Sequence, residues 1–270
     1  MTSDKEGGAA PVGEAPEVSV VKRRRGIYLL PNLFTTAGLF AGFYAIVAAI
    51  GGRFEAAAVA IFVAMIMDGM DGRIARMTNT QSDFGKEYDS LVDMVAFGLA
   101  PALVVYLWAL QPLGKLGWLA AFVYAAATAL RLARFNTQAS TFGKRYFQGL
   151  ASPAAAALVA GMIWSAVEAG ISGATLGIPA LLVTITAGVL MVSNVRYRSF
   201  KDVNLKDRIP FVNVLFVVLI FVFISIAPAQ VMFILFLLYA ASGPVITLKH
   251  IRQMRKERQL AGGSGPKTGA

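Results

Sequence analysis

Four aspartates lie close together in the sequence, inside or beside apolar stretches long enough to cross a membrane. Asp68 and Asp71 are three positions apart, and Asp89 and Asp93 are four apart. Residues at these separations share one face of a helix, so each pair presents two carboxylates together. A charged carboxylate in the middle of a bilayer costs about 2.5–3.5 kcal/mol, so four of them predict a positively charged partner.

The residues around these aspartates favour a metal site with oxygen ligands. No His or Cys lies among them, and carboxylates suit Mg²⁺, Mn²⁺ or Ca²⁺ rather than zinc. Four carboxylates can hold two such ions, the arrangement that stabilises attacking and leaving oxygens in phosphoryl transfer. Gly72 and Gly85 let a bulky ligand approach the backbone. Arg76, one turn further along, is a candidate phosphate ligand.

The elements that must position these side chains are membrane helices. The chain has 270 residues, of which 57% are hydrophobic, and apolar runs of about 20 residues recur along it. We predict an all-α, polytopic integral membrane helix bundle of about eight transmembrane helices. The apolar segments are residues 27–50, 54–75, 88–110, 116–133, 150–168, 174–193, 209–226 and 229–247.

The basic residues predict the orientation of the bundle. The net charge of +10 in a soluble protein would suggest nucleic acid or an anionic surface, but here its placement between apolar segments is informative, and no nucleic-acid partner is expected. Only Arg53 and Lys115 fall on one side; the clusters on the other are at residues 22–25, 144–145, 196–208 and 252–258. Positive charge marks the cytoplasmic side. Both termini are therefore predicted to be cytoplasmic.

The polar ends of the second and third apolar segments should meet on that cytoplasmic side. The second segment turns polar at Asp68, and the third stays polar until Asp93. The short link at residues 78–81 makes the two helices antiparallel neighbours, so their carboxylates can converge near the interface.

Three regions are expected along the chain. Residues 1–22 are rich in Gly, Ala, Pro and Glu and should be a disordered cytoplasmic segment. Residues 23–250 form the membrane domain. Residues 251–270 are predicted to be a basic, flexible cytoplasmic tail.

The spacing of the acidic cluster resembles the signature of the CDP-alcohol phosphotransferase family. The pattern is Asp-x2-Asp-Gly-x2-Ala-Arg-x8-Gly-x3-Asp-x3-Asp, and it is met at Asp68, Asp71, Gly72, Ala75, Arg76, Gly85, Asp89 and Asp93. Residues 30–35 are similar to the segment that this family places against the CDP moiety. Residues 130–136, 147–153 and 191–201 resemble the members that use serine as the acceptor.

The resemblance implies an enzyme of the bacterial inner membrane that transfers the phosphatidyl group from CDP-diacylglycerol to L-serine, releasing CMP. It implies two divalent cations, Mg²⁺ or Mn²⁺ with Ca²⁺ as an option, one held by Asp68, Asp71 and Asp89 and the other by Asp68, Asp89 and Asp93. Asp93 is the implied catalytic base, and a homodimer is expected. The implied CDP-diacylglycerol-binding residues are Pro31, Asn32, Leu33, Phe34, Thr35, Gly72, Ala75, Arg76, Ser82 and Gly85.

The acceptor pocket is assigned to the end of the fourth apolar segment. A serine carboxylate needs a cation, and the guanidinium groups of Arg131 and Arg134, with Asn136 beside them, suit it. An alternative for the two arginines is positive-inside anchoring. Other acceptors, namely glycerol 3-phosphate, inositol or choline, remain alternatives. A cation transporter would also explain the aspartates, though not the glycines between them.

Overall fold

The structure is a computed structural model that describes residues 29–78, 82–138, 147–197 and 211–262. Its helices are α1 (Leu29–Ile50), α2 (Phe54–Met77), α3 (Asp83–Asp93), α4 (Ala100–Val105), α5 (Lys115–Gln138), α6 (Ser152–Glu168), α7 (Gly177–Val192), α8 (Phe211–Ile226) and α9 (Pro228–Gly262). Two π-helical stretches, π1 (Met94–Leu99) and π2 (Tyr106–Leu110), join α3, α4 and a short 3₁₀ turn (Gln111–Leu113) into one helical segment. Strands β1 (Phe147–Gln148) and β2 (Arg196–Tyr197) form an antiparallel pair.

The eight predicted apolar segments overlap eight helical stretches of the described chain, one for one. Within the described residues, four helices are long and apolar enough to cross a membrane: Pro31–Ile50, Asp83–Leu113, Lys115–Thr137 and Pro228–Leu248. Helices α6 and α7 are apolar but shorter. The fold is therefore that of an all-α membrane protein, while the count of eight spans stays a prediction.

Helix α6 forms the centre of the bundle. Five of its first nine residues are alanine, and most of its residues are buried. Small side chains let neighbouring helices approach closely where no hydrophobic force drives them together. Helices α2, α7 and α9 pack around it, so α6 fixes the spacing between the acidic helix α2 and the last helix.

The helix that carries Asp89 and Asp93 changes from α to π geometry at residue 94. Pro101 is the second residue of α4, directly after π1. It has no N–H to donate to the carbonyl of Phe97, four residues earlier. The hydroxyl of Tyr124, a fully buried residue of α5, donates to this carbonyl at 3.1 Å. The irregular backbone beside Asp93 is therefore tied to α5.

The short sheet joins the start of α6 to the end of α7. Gly149 has φ +81°, and a Cβ at this position would collide with the carbonyl of Met191. The N–H groups of Gly149 and Leu150 donate to the carbonyls of Val195 and Leu190, both at 2.9 Å. The sequence did not predict this pairing.

The two predicted terminal regions are only partly described. Residues 1–22 and 263–270 lie outside the described residues. Helix α9 continues to Gly262, so the first part of the predicted flexible tail is helical.

Candidate active site

The four aspartates surround one cavity between α1, α2 and α3. One carboxylate oxygen from each of Asp68, Asp71 and Asp89 lies within 4.8 Å of the others. Asp93 lines the same cavity. The other lining residues are Thr35, Gly38, Ala64, Val92, Ala96 and Phe97. The structure thus brings together all four residues that the sequence predicted as metal ligands.

Asp71 is the most firmly held of the four. It is buried, with 5% of its surface exposed. The hydroxyl of Thr35 on α1 donates to its Oδ2 at 2.8 Å. The same Oγ1 also lies 3.1 Å from the carbonyl of Pro31. Thr35, predicted to contact the nucleotide lipid, therefore lies behind a carboxylate and orients it.

The first turns of α1 and α3 lie side by side. Ser82 is the N-cap of α3, because its Oγ accepts from the N–H of Gly85 at 3.0 Å. A Cβ on Gly85 would lie 3.1 Å from that Oγ and 3.5 Å from Oδ1 of Asn32. The hydroxyls of Thr36 and Tyr88 lie 3.0 Å apart and link the same two helices. Asn32, Ser82 and Gly85 are therefore grouped together.

The remaining predicted lipid-nucleotide residues are more spread out. Arg76 reaches back over Gly72, since its Nη1 lies 4.0 Å from a Cβ built on that glycine. Ala75, which lies between Gly72 and Arg76 in the sequence, is half-buried. Pro31 is buried and Phe34 is half-buried, whereas Leu33 is 64% exposed and lies on a different face of α1 from Thr35. The structure does not bring Leu33 to the cavity.

Arg131 is the predicted acceptor residue that approaches the aspartates. It lies within electrostatic range of Asp93. Its Nη1 donates to the fully buried Oγ of Ser152 at 2.8 Å. Its Nε is buried without a hydrogen-bond partner among the described residues. Ser152 was not predicted as a site residue, although it lies within residues 147–153, which resemble the family members that use serine as the acceptor.

The other two predicted acceptor residues point to different neighbours. Asn136 donates from Nδ2 to the hydroxyl of Ser90 at 3.0 Å. Ser90 directly follows Asp89 in the sequence. Arg134 donates from Nη2 to Oδ1 of Asn194 at 2.9 Å, beyond the end of α7. Only Arg131 and Asn136 are thus directed toward α3.

The acidic cluster fits divalent cations. Every donor in the cavity is an oxygen, and opposite oxygens around a bound Mg²⁺ or Ca²⁺ lie about 4–5 Å apart, which matches the spacing of Asp68, Asp71 and Asp89. The hydrogen bond from Thr35 is of the kind that orients metal-ligating carboxylates.

A helical membrane domain with converging carboxylates between antiparallel helices points to membrane enzymes that transfer phosphoryl groups with divalent cations. The family model for CDP-alcohol phosphatidyltransferase matches residues 28–195, and the chain belongs to this family. The family is divalent-metal dependent.

Several relatives share much of the sequence. The chain is 39% identical to the CDP-diacylglycerol–serine O-phosphatidyltransferase of Helicobacter pylori over 201 residues, which cover 73% of this chain and 83% of the relative. It is 33% identical to the protein of the same name from Bacillus subtilis, over 64% of this chain and 91% of the relative. It is 30% identical to the archaetidylserine synthase of Methanothermobacter thermautotrophicus, over 65% of this chain and 72% of the relative.

Proposed function

We propose that this protein transfers the phosphatidyl group from CDP-diacylglycerol to the hydroxyl of L-serine and releases CMP. The observation that carries the proposal is the similarity to relatives of that name over most of the membrane domain. The convergence of the four aspartates on one cavity supports the phosphoryl-transfer chemistry.

The residues that would hold two divalent cations, Mg²⁺ or Mn²⁺ or else Ca²⁺, are Asp68, Asp71, Asp89 and Asp93. Divalent cations held there would supply positive charge for the pyrophosphate of the donor and for the attacking and leaving oxygens. Thr35 keeps Asp71 oriented toward the cavity, so part of this site is formed in advance.

Asp93 is proposed to accept the proton of the serine hydroxyl. The hydroxyl oxygen forms a bond to the phosphorus that carries diacylglycerol, the bond from that phosphorus to the CMP oxygen breaks, and CMP leaves with the electron pair. Asp93 suits this role because it lines the cavity and also lies near Arg131, and so sits between donor and acceptor.

Arg131 is proposed to bind the carboxylate of serine, with Asn136 as a polar neighbour. One guanidinium nitrogen is used by Ser152, and the buried Nε has no partner among the described residues. A phosphorylated acceptor would require more cationic groups here, and choline would require an aromatic cage. Arg134 is a weaker candidate because it binds Asn194.

The donor is proposed to lie between the first turns of α1 and α3 and the end of α2. Its contacts would come from Pro31, Asn32, Phe34, Thr35, Gly72, Ala75, Arg76, Ser82 and Gly85, while Leu33, exposed on another face of α1, is not included. The close grouping of Asn32, Ser82 and Gly85 supports this placement, as does Arg76 beside Gly72.

The proposed setting is the bacterial inner membrane, with eight spans within residues 23–250, both termini and the active site in the cytoplasm, and a homodimer as the working unit. The basic clusters on one side of the bundle support the orientation. Residues 1–22 and 251–270 are proposed as cytoplasmic extensions.

CMP release by the purified protein in detergent tests the proposal. CDP-diacylglycerol and Mg²⁺ or Mn²⁺ are supplied with serine, glycerol 3-phosphate, inositol or choline in turn. We expect serine-dependent release. Release with a different alcohol alone would replace the acceptor, and no release with any alcohol or metal would favour cation transport.

Asp68→Asn should lower CMP release at least about 100-fold, because it removes a carboxylate shared by both proposed cation sites. The matched control is Asp83→Asn, an exposed aspartate in the first turn of the neighbouring helix, which should keep wild-type activity. Full activity in Asp68→Asn would contradict the metal site.

A further inference from the structure

Helix α9 contains a proline whose missing hydrogen bond is replaced from another part of the chain. Pro244 lies inside the helix and has no N–H for the carbonyl of Ala240, four residues earlier. The hydroxyl of Tyr197 in β2 donates to this carbonyl at 2.9 Å. Both Tyr197 and Ala240 are buried, so the bond is shielded from water.

The Tyr197 ring packs tightly against helix α9. A Cβ on Gly243 would collide with the ring, so only glycine leaves room at this position. On the other side, the ring lies 5.4 Å from that of Tyr239, with a tilt of 41°. Tyr197 therefore fixes the position of one turn of α9, and Tyr239 lies within that turn.

This turn of α9 is connected through Tyr197 and the β1–β2 pair to the start of α6, where Ser152 binds Arg131. Tyr239 is within electrostatic range of the guanidinium, as are Asp93 and Tyr124. The hydroxyl of Tyr124 is used by the Phe97 carbonyl, and its side chain is fully buried. Tyr239 keeps part of its surface exposed. Of the tyrosines near Arg131 in the described part of the chain, Tyr239 is therefore the one whose side chain is not fully buried.

We propose that Tyr239 is a specificity-determining residue for the acceptor and that Tyr197 is the positioning residue that holds it beside Arg131. The inference rests on the proposed function, because it assigns the Arg131 region to the acceptor. Tyr197 and α9 both lie outside the residues matched by the family model. The acceptor side of the site would thus be completed by a helix that the family signature does not include.

The first test compares Tyr239→Phe with wild type in the CMP-release assay. Loss of the hydroxyl should raise the serine KM about 3- to 10-fold and leave the CDP-diacylglycerol KM unchanged, since one hydrogen-bonding group on the acceptor side is removed. Tyr44→Phe, far along α1 and stacked on Arg53, is the matched control and should change neither KM. An unchanged serine KM in Tyr239→Phe, or an equal rise in both KM values, would overturn the proposal.

The second test asks whether Tyr197 acts through the carbonyl that Pro244 leaves open. Tyr197→Phe should raise the serine KM as Tyr239→Phe does. In a Pro244→Ala protein, the N–H of residue 244 can donate to the carbonyl of Ala240. Tyr197→Phe should therefore change log KM for serine at most half as much in this background as in the otherwise unmodified protein. Equal effects in both backgrounds would overturn the positioning role.

Failure of the proposed function is visible in the wild type alone. If the unmodified protein releases CMP only with a different alcohol, the serine assignment fails, and the same comparison is made with the KM of that alcohol. If no alcohol gives release, both proposals are overturned. Serine-dependent release in wild type with an unchanged KM in Tyr239→Phe overturns only the role of Tyr239.

Discussion

The four aspartates have unequal surroundings, although they share one cavity. Asp71 is buried and accepts a hydrogen bond from Thr35. Asp93 lies at the α3 end nearest Arg131. Asp71 is therefore held by a neighbouring helix, while Asp93 has Arg131 among its electrostatic neighbours. This difference suits a ligand role for Asp71 and a position between the two substrates for Asp93.

Thr35→Val should weaken metal use without removing a carboxylate. The substitution keeps the shape of the side chain but loses the donor to Asp71, and loss of such a partner typically costs about 10- to 100-fold in metal affinity. We expect the Mg²⁺ concentration for half-maximal CMP release to rise about 10-fold. Thr35→Ser keeps the hydroxyl and serves as the control. Equal Mg²⁺ dependence in all three proteins would show that Thr35 does not orient the ligand.

Arg131→Lys should damage acceptor use more than Arg134→Lys. Lysine keeps the charge but loses the planar fork that binds Ser152 and that we propose to bind the serine carboxylate. We expect the serine KM of Arg131→Lys to rise about 10-fold or more, with a smaller change in Arg134→Lys. Steady-state kinetics with saturating CDP-diacylglycerol measures both. A larger effect at Arg134 would move the acceptor pocket toward Asn194.

At the scale of helices, the apolar segments predicted the helix positions well, because burial in lipid demands continuous helices of defined length. The convergence of Asp68 with Asp89 followed from the short link between α2 and α3. The π-helical stretches and the strand pair were not predictable. They depend on contacts between distant residues, such as Tyr124 with Phe97 and Gly149 with Val195, and these leave no local periodic pattern. Leu33 was assigned to the site by motif, yet its helical position turns it away.

Helix α1 meets the α3-to-α4 segment at a close approach that depends on one glycine. A Cβ on Gly42 would lie 2.8 Å from the Cα of Ala96, whereas a Cβ on Gly38 would have ordinary contacts of 3.7 Å or more. Gly42→Ala should therefore force the helices apart, at a cost of about 1–3 kcal/mol.

Thermal unfolding in detergent should show a lower Tm for Gly42→Ala and a Tm near that of wild type for Gly38→Ala. The two substitutions add the same methyl group to the same helix, so intrinsic helix propensity cancels in the comparison. Equal Tm values would show that α1 does not approach π1 this closely.

For the molecule as a whole, the positions of the four aspartates and of the basic clusters agree with a single predicted orientation in the membrane. Arg53 and Lys115 mark one end of the bundle, and Arg252 follows the last apolar segment at the other. The aspartates lie where α2 ends and α3 begins, at the same end as Arg252 in the predicted topology. Substrates made in the cytoplasm could then reach them without crossing the bilayer.

Single-cysteine labelling tests this orientation cleanly, because the chain has no cysteine. In intact cells, Lys115→Cys should react with a membrane-impermeant maleimide, and Arg252→Cys should react only after the membrane is opened. The opposite pattern would reverse the proposed sidedness. Labelling of both in intact cells would contradict a single orientation.

The π-helical stretch after Asp93 also constrains how this chain can vary in length. Each residue of an α-helix turns the helix by about 100°, and π1 accommodates one more residue per closed turn than α geometry does. A chain shortened by one residue between Asp93 and Ala100 would still form an unbroken, apolar helix. Because this loss would return π1 to α geometry, Asp89 and Asp93 would still face Asp68 and Asp71, whereas the same deletion inside α4 would rotate them by about 100°. This chain can therefore lose a residue from π1 without turning its carboxylates away, whereas the length of α4 is as much a part of the active site as the identity of the four aspartates.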